Sequence, residues 1–144
     1  MATKNETTAE ELVQAHVAFR DDLGKLEKSV RPASVASLDE VQAELGAVRM
    51  HASEHFRLEE RSEWMTKIKK RGPKLERLVQ HLREEHRELL EAIDTLLKVI
   101  QAAKRLDDGL REKVHQWIER VRRHESREND LVQEAYTLDL GAAD

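Results

Sequence analysis

Apolar side chains recur every three to four residues through four stretches of this chain. The first carries Leu12, Phe19, Leu23, Leu26 and Val30, and the second Leu38, Val41, Leu45, Val48, Ala52 and Phe56. The third is the longest: Leu75, Leu78, Val79, Leu82, Leu89, Leu90, Ile93, Leu96, Leu97 and Ile100. The fourth holds Leu110, Val114, Trp117, Ile118, Val121, Leu131, Val132 and Ala135. This is the period of α-helices with one buried face.

Stop and start signals fall between the stripes. Thr8-Ala9-Glu10-Glu11 reads as a capping box, and so does Ser37 with Glu40. Arg31-Pro32 closes the first helix, because the residue before proline disfavours the α region. Gly72 suits a C-cap and Pro73 the first position of the next helix. Asp107-Asp108-Gly109 then interrupts. The expected helices span roughly 8–31, 37–71, 73–105 and 109–137, with short disordered termini. The second is long for one helix, so a kink or fray is expected after Trp64. Short later connections predict an all-α fold, an antiparallel up-down four-helix bundle forming a single domain over 1–144.

Composition agrees. At 144 residues the chain has room for one real core. Charged residues make up 38% and aromatics 3%, and five glycines and two prolines leave little turn material for a β-rich fold. The net charge of −4 does not point to nucleic acid. The chain has no cysteine, which excludes disulfides and thiolate metal sites. The start, MATKNETTAEE, is no signal peptide, and no apolar run reaches membrane-spanning length. The expectation is a soluble cytoplasmic protein without nucleic-acid or membrane partners; nothing in the pattern specifies an oligomeric state. The basic run KIKKRGPK suits the negative end of a helix macrodipole better than an anionic partner.

Some polar residues stand on the apolar stripes. His16 follows Leu12 by four and precedes Phe19 by three. His55 follows Ala52 by three, Glu59 continues its line, and His51 lies one turn earlier on the flank. His86 sits between Leu82 and Leu89. His81 shares its face with Lys74, Arg77, Glu84, Glu85 and Glu88, a solvated face, and five residues diverge by roughly 140° on a helix. His86 is therefore the inward one. His124 follows Val121 by three, Glu128 precedes Leu131 by three, and His115 is peripheral. Two of these sets are HxxxE pairs, one turn apart on one face. Counted from the turns, Glu59, His86 and Glu128 reach similar heights, so the six residues converge in one layer.

A single histidine on such a stripe is ordinarily a hydrogen-bonded core residue. Two buried carboxylates are costlier, because burial without a partner is strongly unfavourable and no Lys or Arg is assigned to them. A divalent or trivalent cation supplies the missing positive charge. His51 is the candidate for an extra ligand, against a flanking hydrogen-bonded role. Glu60 is a weaker candidate, against a solvated role. Tyr136, two turns past Glu128, reads as a core tyrosine or as part of an entry path.

With these residues placed, the sequence resembles the hemerythrin-like (HHE cation-binding) domains. The matching stretches are AHVAFRDDL around His16, HFRLEE from His55, EEHRELLEAI around His86 and HESREND from His124. The resemblance covers nearly the whole chain, and the combined H…HxxxE…H…HxxxE order is specific where each piece is not. It implies a four-helix bundle holding two iron ions, oxo- or hydroxo-bridged, with manganese or zinc as lesser alternatives. It further implies that His16 and His55 ligate one ion, that His86 and His124 ligate the other, and that Glu59 and Glu128 bridge them. The oxygen carriers of the family place a second histidine where this chain has Leu82. Two octahedral ions offer about twelve positions, of which these residues fill about eight. That favours a sensor or redox-reactive centre over a reversible carrier. The implied function is to bind, sense or reduce a small oxidant (O2, peroxide or NO), either as a peroxide- or NO-directed redox enzyme or without turnover. The alternatives are an iron- or oxygen-responsive interaction module and a plain iron-binding protein.

Overall fold

The computed structural model describes the backbone of residues 9–143 and the side chains of 10–63 and 65–134. Over these residues the fold is all-helical: α1 (Ala9–Ser29), α2 (Leu38–Glu60), α3 (Glu63–Lys69), α4 (Pro73–Ala102) and α5 (Asp108–Ala143). The expected Thr8 cap and the side chain of Tyr136 lie outside the described residues. No described helix is long and apolar enough to cross a membrane.

The helix expected over 37–71 is two helices. It breaks at Arg61–Ser62, earlier than the kink expected after Trp64. Ser62 adopts an extended backbone (φ −73°, ψ 151°), and its hydroxyl donates to the Glu59 carbonyl. One extended residue redirects the chain there, and the serine satisfies a carbonyl that the ended helix leaves without its usual donor. Ser37 accepts the Glu40 N–H at 3.1 Å, as its capping role requires. Gly72 does not close α3, whose C-cap is Lys70; it precedes Pro73 as the N-cap of α4, at φ 147°, where a Cβ would be strained. Asp107 caps α5 by accepting the Leu110 N–H at 2.8 Å. That helix continues to Ala143, past the expected end near 137.

Each of the four long helices touches two others: α1 packs on α2 and α5, and α4 packs on α2 and α5. The short α3 lies against α4 and α2. Two apolar clusters result. The larger joins Phe19, Leu26, Val48, Phe56, Leu89, Ile93, Trp117 and Val121 with their neighbours along the same stripes. The smaller joins Met65, Ile68, Leu75, Val79, Leu82 and Leu131. Burying each of the larger side chains contributes about 1.5–3 kcal/mol, which makes these clusters the main stabilising element. Trp117 anchors its indole N–H to the Leu89 carbonyl at 3.0 Å. Leu78 and Val132, read as stripe members, are 36% and 38% exposed and lie at the stripe edges.

Between the clusters runs a polar layer. Along α4, Leu82 belongs to the smaller cluster and Leu89 to the larger, with His86 between them. Along α5 the same passage goes from Val121 through His124 and Glu128 to Leu131.

Candidate metal centre

The helical period that builds the core also delivers the layer. His86 occupies one slot of the buried series Leu75, Val79, Leu82, His86, Leu89, Ile93. His55, Glu59, His86, His124 and Glu128 are all buried, and among the described residues no Lys or Arg is buried with them. His81 is exposed on the opposite side of α4.

The donors form two groups. Glu59, His86, His124 and Glu128 present ligand-capable atoms within 4.8 Å of one another, and so do His16, His55 and Glu125. Metal–ligand bonds of about 2.0–2.2 Å put the donors around one ion within about 4.4 Å of each other, so both groups are close to ligating dimensions. In the first group Glu128 Oε1 lies 2.8 Å from His86 Nε2 and also against His124 Nε2. Glu59 spans the two groups: its Oε1 lies against His55 Nε2, and its Oε2 is 3.3 Å from His86 Nε2.

Several of these close atoms lack hydrogen-bond geometry. His55 Nε2, His124 Nε2, Glu59 Oε2 and Glu125 Oε1 are buried with no hydrogen-bond partner. Buried polar atoms are nearly always satisfied, so a cluster of unsatisfied donors and acceptors needs a cause. Ligands around a shared cation approach one another in this way, with lone pairs meeting at the ion instead of pairing with a proton. The donor set fits a metal.

Outer contacts hold two of the imidazoles. The His86 Nδ1–H donates to Glu60 Oε2 at 3.4 Å, and Arg83 donates to Glu60 Oε1 at 3.0 Å. The His124 Nδ1–H donates to Glu85 Oε1 at 3.3 Å, and Arg127 pairs with Glu85. Such carboxylates orient an imidazole and fix its tautomer, leaving Nε2 for a ligand. Phe56 stacks on the His86 ring at 4.2 Å and 7°.

The charges follow the geometry. Burial pushes the His86 imidazole down, but Glu128, Glu59 and Glu60 outweigh it and carry its pKa up to about 11. Burial likewise opposes the charge on His55, and Glu59 reverses this and raises it. Burial pushes Glu128 up, yet the His124 and His86 imidazoles against it take it well below the usual carboxylate range. Without metal, protons on His86 and His55 offset the carboxylates.

The structure brings together His16, His55, Glu59, His86, His124 and Glu128. It places Glu60 behind His86. His51 is elsewhere: its Nδ1 faces the Asp22 carboxylate across α1 and α2, outside both donor groups. Its expected role as an extra ligand has no geometric support. His16 is more open than a core position implies, with its side chain 42% exposed. Glu125 was not foreseen. It directly follows His124 in a run of charged residues, although its place four after Val121 and three before Glu128 puts it on the inward stripe.

A helical domain that gathers buried histidines and carboxylates into adjoining ligand groups is a cation-binding domain. The Hemerythrin HHE cation binding domain model matches residues 7–136, and the chain belongs to that family. No curated protein and no solved structure matched it.

Proposed function

We propose that this protein is a non-haem di-iron protein that binds, senses or reduces a small oxidant such as O2, peroxide or NO. The observation that carries this reading is the Glu59 carboxylate, one oxygen directed to each donor group. A carboxylate so placed suits two ions side by side. His16 and His55 would hold one, His86 and His124 the other, and Glu59 and Glu128 would lie between them. Imidazole and carboxylate donors without sulfur suit iron or manganese. When bound, two irons would supply redox chemistry toward the small oxidant.

The chain's own residues perform the remaining work. Glu60 and Glu85 hold the Nδ1 protons of His86 and His124 and so keep Nε2 free. Phe56, Leu82, Leu89 and Leu131 exclude water from the inner side. A cavity of about 310 Å³, lined in part by Leu12, Val13, His16 and Asn129, reaches the outer side and admits a small molecule.

We further read the four long helices as an antiparallel up-down bundle. Contacts between neighbouring helices run in opposite directions along the chain. Arg49 meets Asp94 and Glu60 meets Arg83; Glu85 meets Arg127 and Leu89 meets Trp117. Because the donors come from all four helices, metal occupancy is coupled to how firmly they pack. That coupling favours a second reading, an iron- or oxygen-responsive interaction module, over plain iron storage.

The test is elemental analysis with a visible spectrum on protein expressed with ample iron and purified in air. Two irons per chain, with ferric absorption that changes on adding azide or peroxide, is the expected result. Folded, colourless protein that cannot be reconstituted overturns the reading.

A further inference from the structure

The two donor groups are built differently. In the inner group His86 and His124 are each braced at Nδ1 by a carboxylate. In the outer group His55 is 2% exposed, and neither of its ring nitrogens has a hydrogen-bond partner. The cavity opens on this second group.

Glu125 completes it. Its Oε1 lies 3.8 Å from His16 Nδ1 and 3.9 Å from His55 Nε2, and it is buried without a hydrogen-bond partner. A carboxylate serving only as counter-charge to a protonated histidine makes a short hydrogen bond of about 2.7–2.9 Å. Glu125 makes none with either ring, though both are within reach. Two ligands on one ion, each at about 2.1 Å, stand roughly 3.0 to 4.2 Å apart. The observed separations fall in that interval. They suit a shared cation and do not suit a shared proton.

Building on the di-metal reading, we propose that Glu125 is a seventh protein ligand, held by the cavity-side ion together with His16 and His55. That ion would then have two imidazoles and a carboxylate of its own, besides the shared Glu59 and Glu128. The arrangement leaves it fewer exchangeable positions than the HxxxE pairs alone provide, and those that remain face the cavity. The two ions differ in consequence: one is enclosed and braced, and the other is reached from outside and completed by Glu125.

The experiment is an anaerobic titration of the metal-free protein with Fe(II), comparing wild type with Glu125→Gln and Glu125→Asp. Bound metal is counted after gel filtration, and helical circular dichroism checks the fold. Wild type is expected to take two ions. Glu125→Gln should keep the first with unchanged affinity and bind the second at least tenfold more weakly, in line with other changes around metal sites. Titration with Co(II) adds a readout that a purely structural role would not move. The d–d absorption of the second equivalent should change in Glu125→Gln while that of the first does not. Should the glutamine variant misfold, Glu125→Asp, which keeps the charge but shortens the reach, should show the same selective weakening. Two ions taken with wild-type affinities and unaltered Co(II) spectra in the variants overturn the assignment while leaving the di-metal reading intact. A wild-type protein that takes no second ion removes both.

Discussion

Replacing His86 with alanine tests the polar layer at its most connected point. The imidazole is 2% exposed, faces Glu128 and Glu59 through Nε2, and donates to Glu60 through Nδ1. In metal-free protein it carries the proton that offsets the neighbouring carboxylates, because its pKa rises from 6.5 to about 11. Fully expressed, that rise caps its contribution at roughly 6 kcal/mol. Removing one partner of a buried charge pair ordinarily costs about 3–5 kcal/mol, and the loss of the Phe56 stack falls within the same substitution. Metal-free His86→Ala should therefore be about 3–5 kcal/mol less stable than wild type at pH 6. The sign with pH follows from the raised pKa. The contribution is complete below about pH 6.5 and is lost as pH climbs toward 11, so the gap between the two proteins should narrow above neutrality. Urea unfolding across pH measures it, and elemental analysis of iron-loaded protein should show about one metal equivalent missing. His81→Ala, on the exposed face, should change neither quantity. If His81→Ala loses metal and His86→Ala keeps it, the assigned register of α4 is wrong. A gap that widens with pH would refute the charge argument alone.

Metal binding at pH 7.5 should release protons, since His86 and His55 both hold theirs above the ordinary histidine value. Calorimetry in buffers of differing ionisation enthalpy reads this, and a heat independent of buffer would contradict it. His51→Ala should retain full metal content and cost no more than about 1 kcal/mol, as its pairing with Asp22 is partly exposed; loss of a metal equivalent would restore it as a ligand. Glu60→Gln and Glu85→Gln should each weaken the inner ion by about 10–100-fold in competition with a chelator. Unchanged affinity in both would show that Nδ1 bracing is idle.

The helices were legible because each repeats its signal over several turns, so that one odd residue does not erase it. His86 was readable for the same reason: Leu82 and Leu89 fix the phase of α4 on either side of it. The break at Ser62 was not. It uses no proline or glycine, only an extended serine whose hydroxyl turns back to Glu59, and serine elsewhere in a helix leaves no such mark. The role of His51 depends on Asp22, a residue on another helix that no spacing along α2 reveals. Glu125 escaped because its neighbour His124 points inward and adjacent helical residues diverge by about 100°. A site that lies between two helices receives both, one from each flank of the stripe.

The charged layer divides the apolar interior into unequal parts, and that division has a consequence for how the molecule opens. The smaller cluster joins α3, the start of α4 and the later part of α5. It lies beyond a layer of charged groups that protons tie together pair by pair, whereas a bound cation would tie donors from several helices at once. Bound metal would thus act as a rivet between two cooperative units. With it, amide hydrogens at Met65, Val79 and Leu131 should exchange only through unfolding of the whole protein. Without it, that end becomes a separate foldon, exchanging ahead of the block around Phe19, Val48 and Ile93.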